Sequence, residues 1–474
     1  MTNISLRKGF LVLLTGLLLS CGGGGSGGGG GIAVLGSAAT PGTTATTGSA
    51  GATGSDVTTG SAATPGSTSR TGLLADEGSP VGGAADGQGT SGSSGSSGAS
   101  GGTATASGGN DGSGVGSGGT GVSTADAAGI GAVDGAGSII VSGLRYNTDT
   151  AVVNLEDAAG LQLGMSVKVT GPVNADFTSG IARRIDSAAD IRGPHSSVNL
   201  AQGNFVIMGT TVTTDQATVW ADAAGLAAIA PNATLQVWGL PAAPGVLRAT
   251  RVEQRGPAAP ILTGTVENLD AARSTFKLGS FDVDYSGAVL SGSLDGRPLT
   301  DGTLVRVRAN SALPGRLAAT LVQWWYPVPT VNTTPVQLQG VVTDYAGLSS
   351  LRVLGTPVDA SAAQVTGGPA GSIGNGVKVD VAGTMSSGVL KATKVKIRHV
   401  PGTGGPVSFN LIGNIGNFSS PSSFRVRGQP INAASPGVVF VNGSVSNLRN
   451  GVRISVEGSQ VVDGVLIATR VVFE

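Results

Sequence analysis

The sequence has one cysteine, two histidines and four methionines in 474 residues. Aromatic residues make up 4% of it and charged residues 12%. A single cysteine excludes an intramolecular disulfide framework, so every folded part must be held by packing alone. The two histidines, His195 and His399, lie far apart with no ligand cluster around either. A zinc centre takes three or four N, S or O ligands, and a serine triad needs a histidine with a partner. Neither is legible, and no metal or cofactor is implied. Helical periodicity is also nearly absent. Only short alanine runs, such as 222–229, read as a single turn between strands.

Charge of either sign is scarce, and its balance of zero hides two regions. Residues 22–136 carry one base, Arg70, against seven acids. Once Arg7 and Lys8 are set aside, 25 of the 28 bases and 21 of the 28 acids fall in 137–474. An acidic segment therefore precedes a mildly basic body. Neither is charged strongly enough to point to nucleic acid as a partner.

Glycine, at 81 residues, is what the chain has in abundance. At the N-terminus, Arg7-Lys8 precedes a short apolar run that ends Leu18-Leu19-Ser20-Cys21. A bilayer span needs about 20 apolar residues, so this run is short and reads as a secretory signal, residues 1–21. Its ending resembles the bacterial lipoprotein signal, which implies that Cys21 is acylated and becomes the new N-terminus. Gly22 then leans toward the outer membrane, as that resemblance implies. Acyl chains contribute about 0.8 kcal/mol per buried CH₂, so two or more give stable anchoring. Residues 22–136 are mostly Gly, Ser, Thr and Ala, and Gly-Ser-Ala-Ala-Thr-Pro-Gly occurs twice, from 36 and from 60. Such a composition buries too little surface to offset its ordering entropy, so a disordered linker spanning roughly 60 Å is expected. Glycine-motif matches at 98–102 and 114–119 lack the strand and helix that their chemistry needs.

Beyond the linker one signature recurs. Gly464-Val-Leu-Ile-Ala-Thr-Arg-Val has relatives starting at Gly388, Gly315 and Gly245, with a weaker one at Gly180, at intervals of 76, 73, 70 and 65 residues. A signature that returns five times at a nearly fixed period marks one structural unit built five times. Before each copy lies an alternating segment, such as Val379-Asp-Val-Ala-Gly383 or Ile454-Ser-Val-Glu-Gly458. Period-two alternation means a strand with one buried face. The terminal glycine reads as a turn into the signature strand, although the third unit has Ala309 there. The signature itself breaks period two, which predicts a β-bulge between Ala468 and Val471.

A chain of about five or six short strands per unit predicts an all-β fold. It is expected to be a tandem array of five small β-barrel domains, OB-like or SH3-like, at 137–195, 196–260, 261–330, 331–405 and 406–474. An immunoglobulin sandwich, which takes about 100 residues, ranks second. The Val-x-Val-x-Gly strand followed by Gly-x-Leu-x-Ala-Thr-x-Val resembles the bacterial domain-of-unknown-function family 5666. That resemblance implies secreted or lipid-anchored proteins with tandem copies, and no catalytic residues carry over.

Two groups of residues are candidate ligand contacts. Trp324-Trp325-Tyr326 is the densest aromatic cluster, and adjacent strand residues face opposite sides. An exposed ring there would stack on a sugar or a partner; the competing reading is packing between the third and fourth units. Lys391, Lys394 and Lys396, with Lys378, Arg398, Arg248, Arg251, Arg453 and Arg470, collect on the last strands of several units. They read as a stripe for anionic glycans or lipid headgroups, or as a charged strand face that prevents edge-to-edge association. An acidic pair, Asp282 and Asp284, is the best candidate for glycosidase chemistry, but that needs two carboxylates across a cleft. The expectation is a non-enzymatic, lipid-anchored envelope protein, facing the periplasm or the surface. It would act as a binding or structural module toward envelope polysaccharide or protein. The alternatives are a glycan-recognising adhesin and, third, a glycan-active hydrolase.

Overall fold

The computed structural model describes residues 126–291, 298–406 and 409–474. The signal, Cys21 and nearly all of the expected linker lie outside the described residues. Among those described the chain is all-β, with 31 strands, three short 3₁₀ turns and no α-helix.

The repeat has a constant plan, clearest in the fifth copy. A long first strand, Phe409–Ser420, turns into Ser423–Val426 and then Gln429–Asn432. A short strand, Val439–Val441, and a 3₁₀ turn, Val445–Asn447, lead to a closing hairpin of Arg453–Val462 and Val465–Phe473. The hairpin's last strand runs parallel to Gln429–Asn432 and Val439–Val441, while its first strand pairs antiparallel with Phe409–Ser420. The other copies repeat this pairing pattern. Each 3₁₀ turn sits where the chain must reverse before the closing hairpin, and the one at Leu226–Ala228 falls inside the alanine run expected to form a turn.

The signature hairpin explains its own sequence. Glu457 pairs with Arg470 but Gly458 pairs with Ala468, so Thr469 is an extra, bulged residue. The same skip leaves out Thr250, Thr320 and Thr393 in three other copies. A bulge disrupts the ladder locally, beside one backbone carbonyl of the partner strand. The threonine hydroxyl donates to that carbonyl each time: Thr469 to Glu457 O at 3.1 Å, Thr250 to Trp238 O at 3.0 Å, Thr320 to Arg308 O at 3.1 Å and Thr393 to Ala382 O at 3.3 Å. The Ala-Thr of the signature is therefore the bulge together with a side-chain bond across it.

The glycine of the preceding strand is not a turn residue, contrary to the sequence reading. Gly383 lies within the strand Lys378–Ser386, opposite the bulge, where the two backbones approach closely. A Cβ there would stand 2.0 Å from Lys391 O. The third copy has Ala309 at this position, and its ladder, like that of the fifth copy after Gly458, is interrupted a second time just beyond.

The expectation of five separate small barrels, OB-like or SH3-like, is overturned. All 31 strands belong to one hydrogen-bonded sheet network, and the repeats are stacked coils of a β-solenoid. The first strands make most of the joins, and Val219–Trp220 of the second copy pairs with Arg453–Val462 of the fifth. Ala127–Ala136, in the first copy, runs parallel to Pro335–Gly347 of the fourth and to Phe409–Ser420 of the fifth. The first strands of the second and third copies, Ile191–Asn199 and Ile261–Asp270, pair antiparallel. The apolar clusters cross the repeats as well. One combines residues of the first and fifth copies, such as Met165 and Leu466. Another combines the second and third, such as Phe205 and Phe276. Each copy taken alone would leave a strand edge and apolar surface in water, which stacking removes.

The first strand also moves a boundary. Ala127–Ala136 lies in the segment read as linker, yet it is buried along its whole length. Its Ala and Gly content is a packing requirement, because strands crowd it from several sides. A Cβ at Gly129 would fall 2.3 Å from Tyr146 Oη, and one at Gly135 2.2 Å from Asn410 O.

Candidate functional site

The aromatic cluster sits where the third copy ends. The strand Arg316–Trp324 delivers Trp324 half-buried, and the chain then leaves the sheet at Trp325 and Tyr326, both buried. Buried indole and phenol groups need partners. Trp325 Nε1 donates to Asp190 Oδ1 at 2.6 Å. Tyr326 Oη accepts from Ala188 N at 3.0 Å and donates to Ser166 O at 3.1 Å. Arg306 lies over the Tyr326 ring, 5.1 Å from its centroid. These bonds fix one wall of a groove of about 570 Å³. Trp324, Pro327, Val328 and Pro357 form its apolar surface, and Thr300 and Asp301 bring polar groups to it. Two of the three expected aromatic contacts are thus anchors, and Trp324 alone keeps a partly exposed ring.

Asp190 is the centre of this anchoring. It is fully buried and accepts from Ser166 Oγ at 2.7 Å, Gly239 N at 2.7 Å, Arg306 Nη2 at 2.7 Å and Trp325 Nε1. Burial opposes the charge of Arg306, but the Asp190 carboxylate outweighs it and holds the guanidinium's pKa above its ordinary value. Nothing in the local sequence around Asp190 marks it, because its four partners come from three different copies of the repeat.

The basic residues divide. Arg248, Arg251, Lys378 and Arg398 are buried in ion pairs rather than displayed as a stripe. Arg398 Nη2 reaches Asp134 at 2.7 Å and its Nε bonds Asp380. Arg248 pairs with Asp215 at 3.2 Å, and Lys378 lies 3.8 Å from the same carboxylate. Lys391 is exposed and pairs with Asp359 at 2.9 Å. Lys394 and Lys396 face a second, smaller cavity of about 230 Å³, together with Phe177, Gln337, Gln364 and Thr366. The structure does not bring the lysines and the aromatic cluster to one site, since the two cavities share no lining residue.

The acidic pair is engaged elsewhere. Asp282 pairs with Lys277 at 2.6 Å, and Asp284 accepts from the Ser286 backbone and hydroxyl. His195 lies against Ala233 O, with Nδ1 at 3.0 Å.

Three segments of the chain, 192–253, 339–396 and 412–472, match a family of domains of unknown function, DUF5666. They fall in the second, fourth and fifth copies of the repeat. These three segments are similar to the DUF5666 domain. Each DUF5666 segment contains the bulged threonine, Thr250, Thr393 or Thr469, with a glycine opposite it, Gly239, Gly383 or Gly458. The two unmatched copies depart at these positions, with Arg183 where the first would have threonine and Ala309 where the third would have glycine. No curated protein matches the chain.

Proposed function

We propose that this chain is a non-enzymatic, lipid-anchored cell-envelope protein, and that its DUF5666 coils serve as a scaffold presenting a glycan-binding groove. The observation that carries this reading is the groove at the end of the third copy. Its aromatic wall is held rigid by Asp190, Ser166 and Ala188, and Trp324 keeps part of its ring open to solvent. An aromatic face with threonine hydroxyls and one carboxylate beside it suits a neutral sugar ring, which offers an apolar face and hydroxyl edges. Holding that wall in place before binding lowers the ordering cost of association.

The test is titration of the full chain with neutral oligosaccharides on a broad array, followed by calorimetry of the best binder. Saturable binding that is lost in Trp324→Ala, with unfolding unchanged, supports the reading. Absence of binding across the array, or binding that ignores Trp324→Ala, overturns it and leaves a purely structural envelope role. The envelope location is tested by metabolic labelling of Cys21 with a fatty-acid analogue. Protease removal of a tag placed after Glu474 on intact cells separates surface from periplasm.

A further inference from the structure

The smaller cavity lies between the first and fourth copies and has a floor built by strand register. Lys394 and Lys396 are two apart on the strand Val389–His399, so they share a face. Gln364 and Thr366 stand directly beside them on the parallel strand Gln364–Thr366, and Ala382 and Asp380 on the antiparallel one. Cross-strand partners point to the same side of a sheet. Two ammonium groups, an amide and a hydroxyl are therefore gathered on one patch. The turn at 174–178 of the first copy closes one side and brings the Phe177 ring. It is held by Lys394 Nζ, which donates to Asp176 O at 2.5 Å.

The polar groups deeper in this cavity are incompletely paired. Gln337 is 5% exposed; its Nε2 donates to Ser142 O at 3.0 Å, but its Oε1 has no partner. Ser142, also 5% exposed, has an unpartnered hydroxyl. The one carboxylate in the lining, Asp380, is already bonded by Arg398 and by Gln339 Nε2 at 2.9 Å. Arg398 is shared between Asp380 and Asp134, while the Asp176 carboxylate lies near Lys394. Lys396 forms no ion pair among the described residues. The neighbouring Arg398 guanidinium, and then burial, hold its ammonium below the usual lysine range.

We propose that this pocket binds the oxyanion of a small ligand, a carboxylate or a phosphoryl group, between the Lys394 and Lys396 ammonium groups. Gln364 and Thr366 complete its hydrogen bonds. An anion here relieves the repulsion between Lys396 and Arg398. Ammonium groups act as point charges that accept either oxyanion, and the volume admits a single sugar-sized ring against Phe177. The pocket shares no residue with the aromatic groove, so the two readings fail separately.

The experiment is calorimetry of the full chain with inorganic phosphate and, in a second arm, with a monomeric hexuronate. Saturable one-to-one binding is expected in at least one arm, and the arm that binds tells a phosphoryl from a carboxylate ligand. Lys396→Met should weaken it by about tenfold or more, the usual loss for a charge-assisted hydrogen bond. Lys391→Met, on the same strand but paired with Asp359, should leave it unchanged. Gln364→Leu, at an exposed position, gives a second weakened variant that does not depend on a buried change. The melting temperature of apo Lys396→Met should equal or exceed that of the wild type, because a repelled charge is removed. Absence of binding by both probes, or equal binding by the wild type and Lys396→Met, overturns the proposal.

Discussion

In the fifth coil, Ile454, Val456, Leu466 and Val471 face one another, all fully buried and all apolar. At the seam joining the first three coils, the groups that meet are Asp190, Arg306, Ser166 and the Trp325 indole, also fully or almost fully buried. The same seam adds Arg308 on Asp157 at 2.7 Å, and another seam repeats the pattern with Arg398 between Asp134 and Asp380. Coil interiors are held by non-directional burial, worth about 1.5–3 kcal/mol for each large aliphatic side chain. Seams are held by directional bonds that are satisfied in one alignment only. Buried ion pairs add little net stability over an apolar contact, but removing one partner is costly. We read the seams as fixing which coil meets which, and the interiors as supplying most of the folding free energy.

The sharpest way to break this contrast is Asp190→Ala. It leaves Arg306 buried without its counter-charge and strips partners from Ser166, Gly239 and Trp325. A loss of about 3–5 kcal/mol is expected from urea unfolding. Because the sheet network is continuous, that loss should appear as one shifted transition for all coils. A biphasic curve with one segment unshifted would mean that the coils unfold independently. The double change Asp190→Leu with Arg306→Met should recover much of the loss, since an apolar pair needs no alignment to be satisfied. It should also loosen the aromatic wall of the groove, read as weaker glycan binding.

A medium effect tests the coil interior, at the bulge. Thr469→Val keeps the shape and β-branching but removes the hydroxyl that serves Glu457 O. A loss of about 1 kcal/mol is expected, and Thr469→Ser should retain most of the stability. Equal stability of Thr469→Val and the wild type would show that the recurring threonine is selected for strand propensity alone.

The contrast also decides what was legible in the sequence. Alternation such as Ile454-Ser-Val-Glu and the break in the signature strand are local, so the strands and the bulge could be read directly. Five repeats were equally plain. The joins between them were not, because Asp190, Asp134 and Asp157 find their cations 116, 264 and 151 residues away. With no alignment of partners in view, Arg248, Arg251, Lys378 and Arg398 looked like a solvated face. The strand Ala127–Ala136 was hidden for a different reason. The small residues that let it thread between neighbours are also those of a linker. The groove was half legible. The aromatic cluster stood out by composition, but which ring stays open depends on the distant Asp190, Ala188 and Ser166.

The smallest expected effect concerns pH at the seam between the second and fourth coils. His399 is half-buried there with its Nδ1 unpartnered, beside a cavity of about 30 Å³ that is also lined by Asp134, Asp215, Lys378 and Arg398. Burial holds its pKa below the ordinary 6.5. Arg248 and Lys378 push the same way, and Asp215 opposes them. The unfolded chain therefore takes up the proton first as pH falls. Stability tied to neutral His399 is fully present above about pH 6.5, where both states are unprotonated, and is lost as pH drops through that value toward the lower folded pKa. Asp215, whose own pKa lies below the usual carboxylate range despite its burial because Lys378 and Arg248 favour its charge, stays ionised across that window. The comparison to make is the urea midpoint of the wild type and His399→Gln between about pH 7.5 and 5.5. The wild type should lose stability across this range and the variant should lose less. Parallel curves would mean that the protonated imidazole is accommodated at the seam, with Asp215 compensating its charge fully.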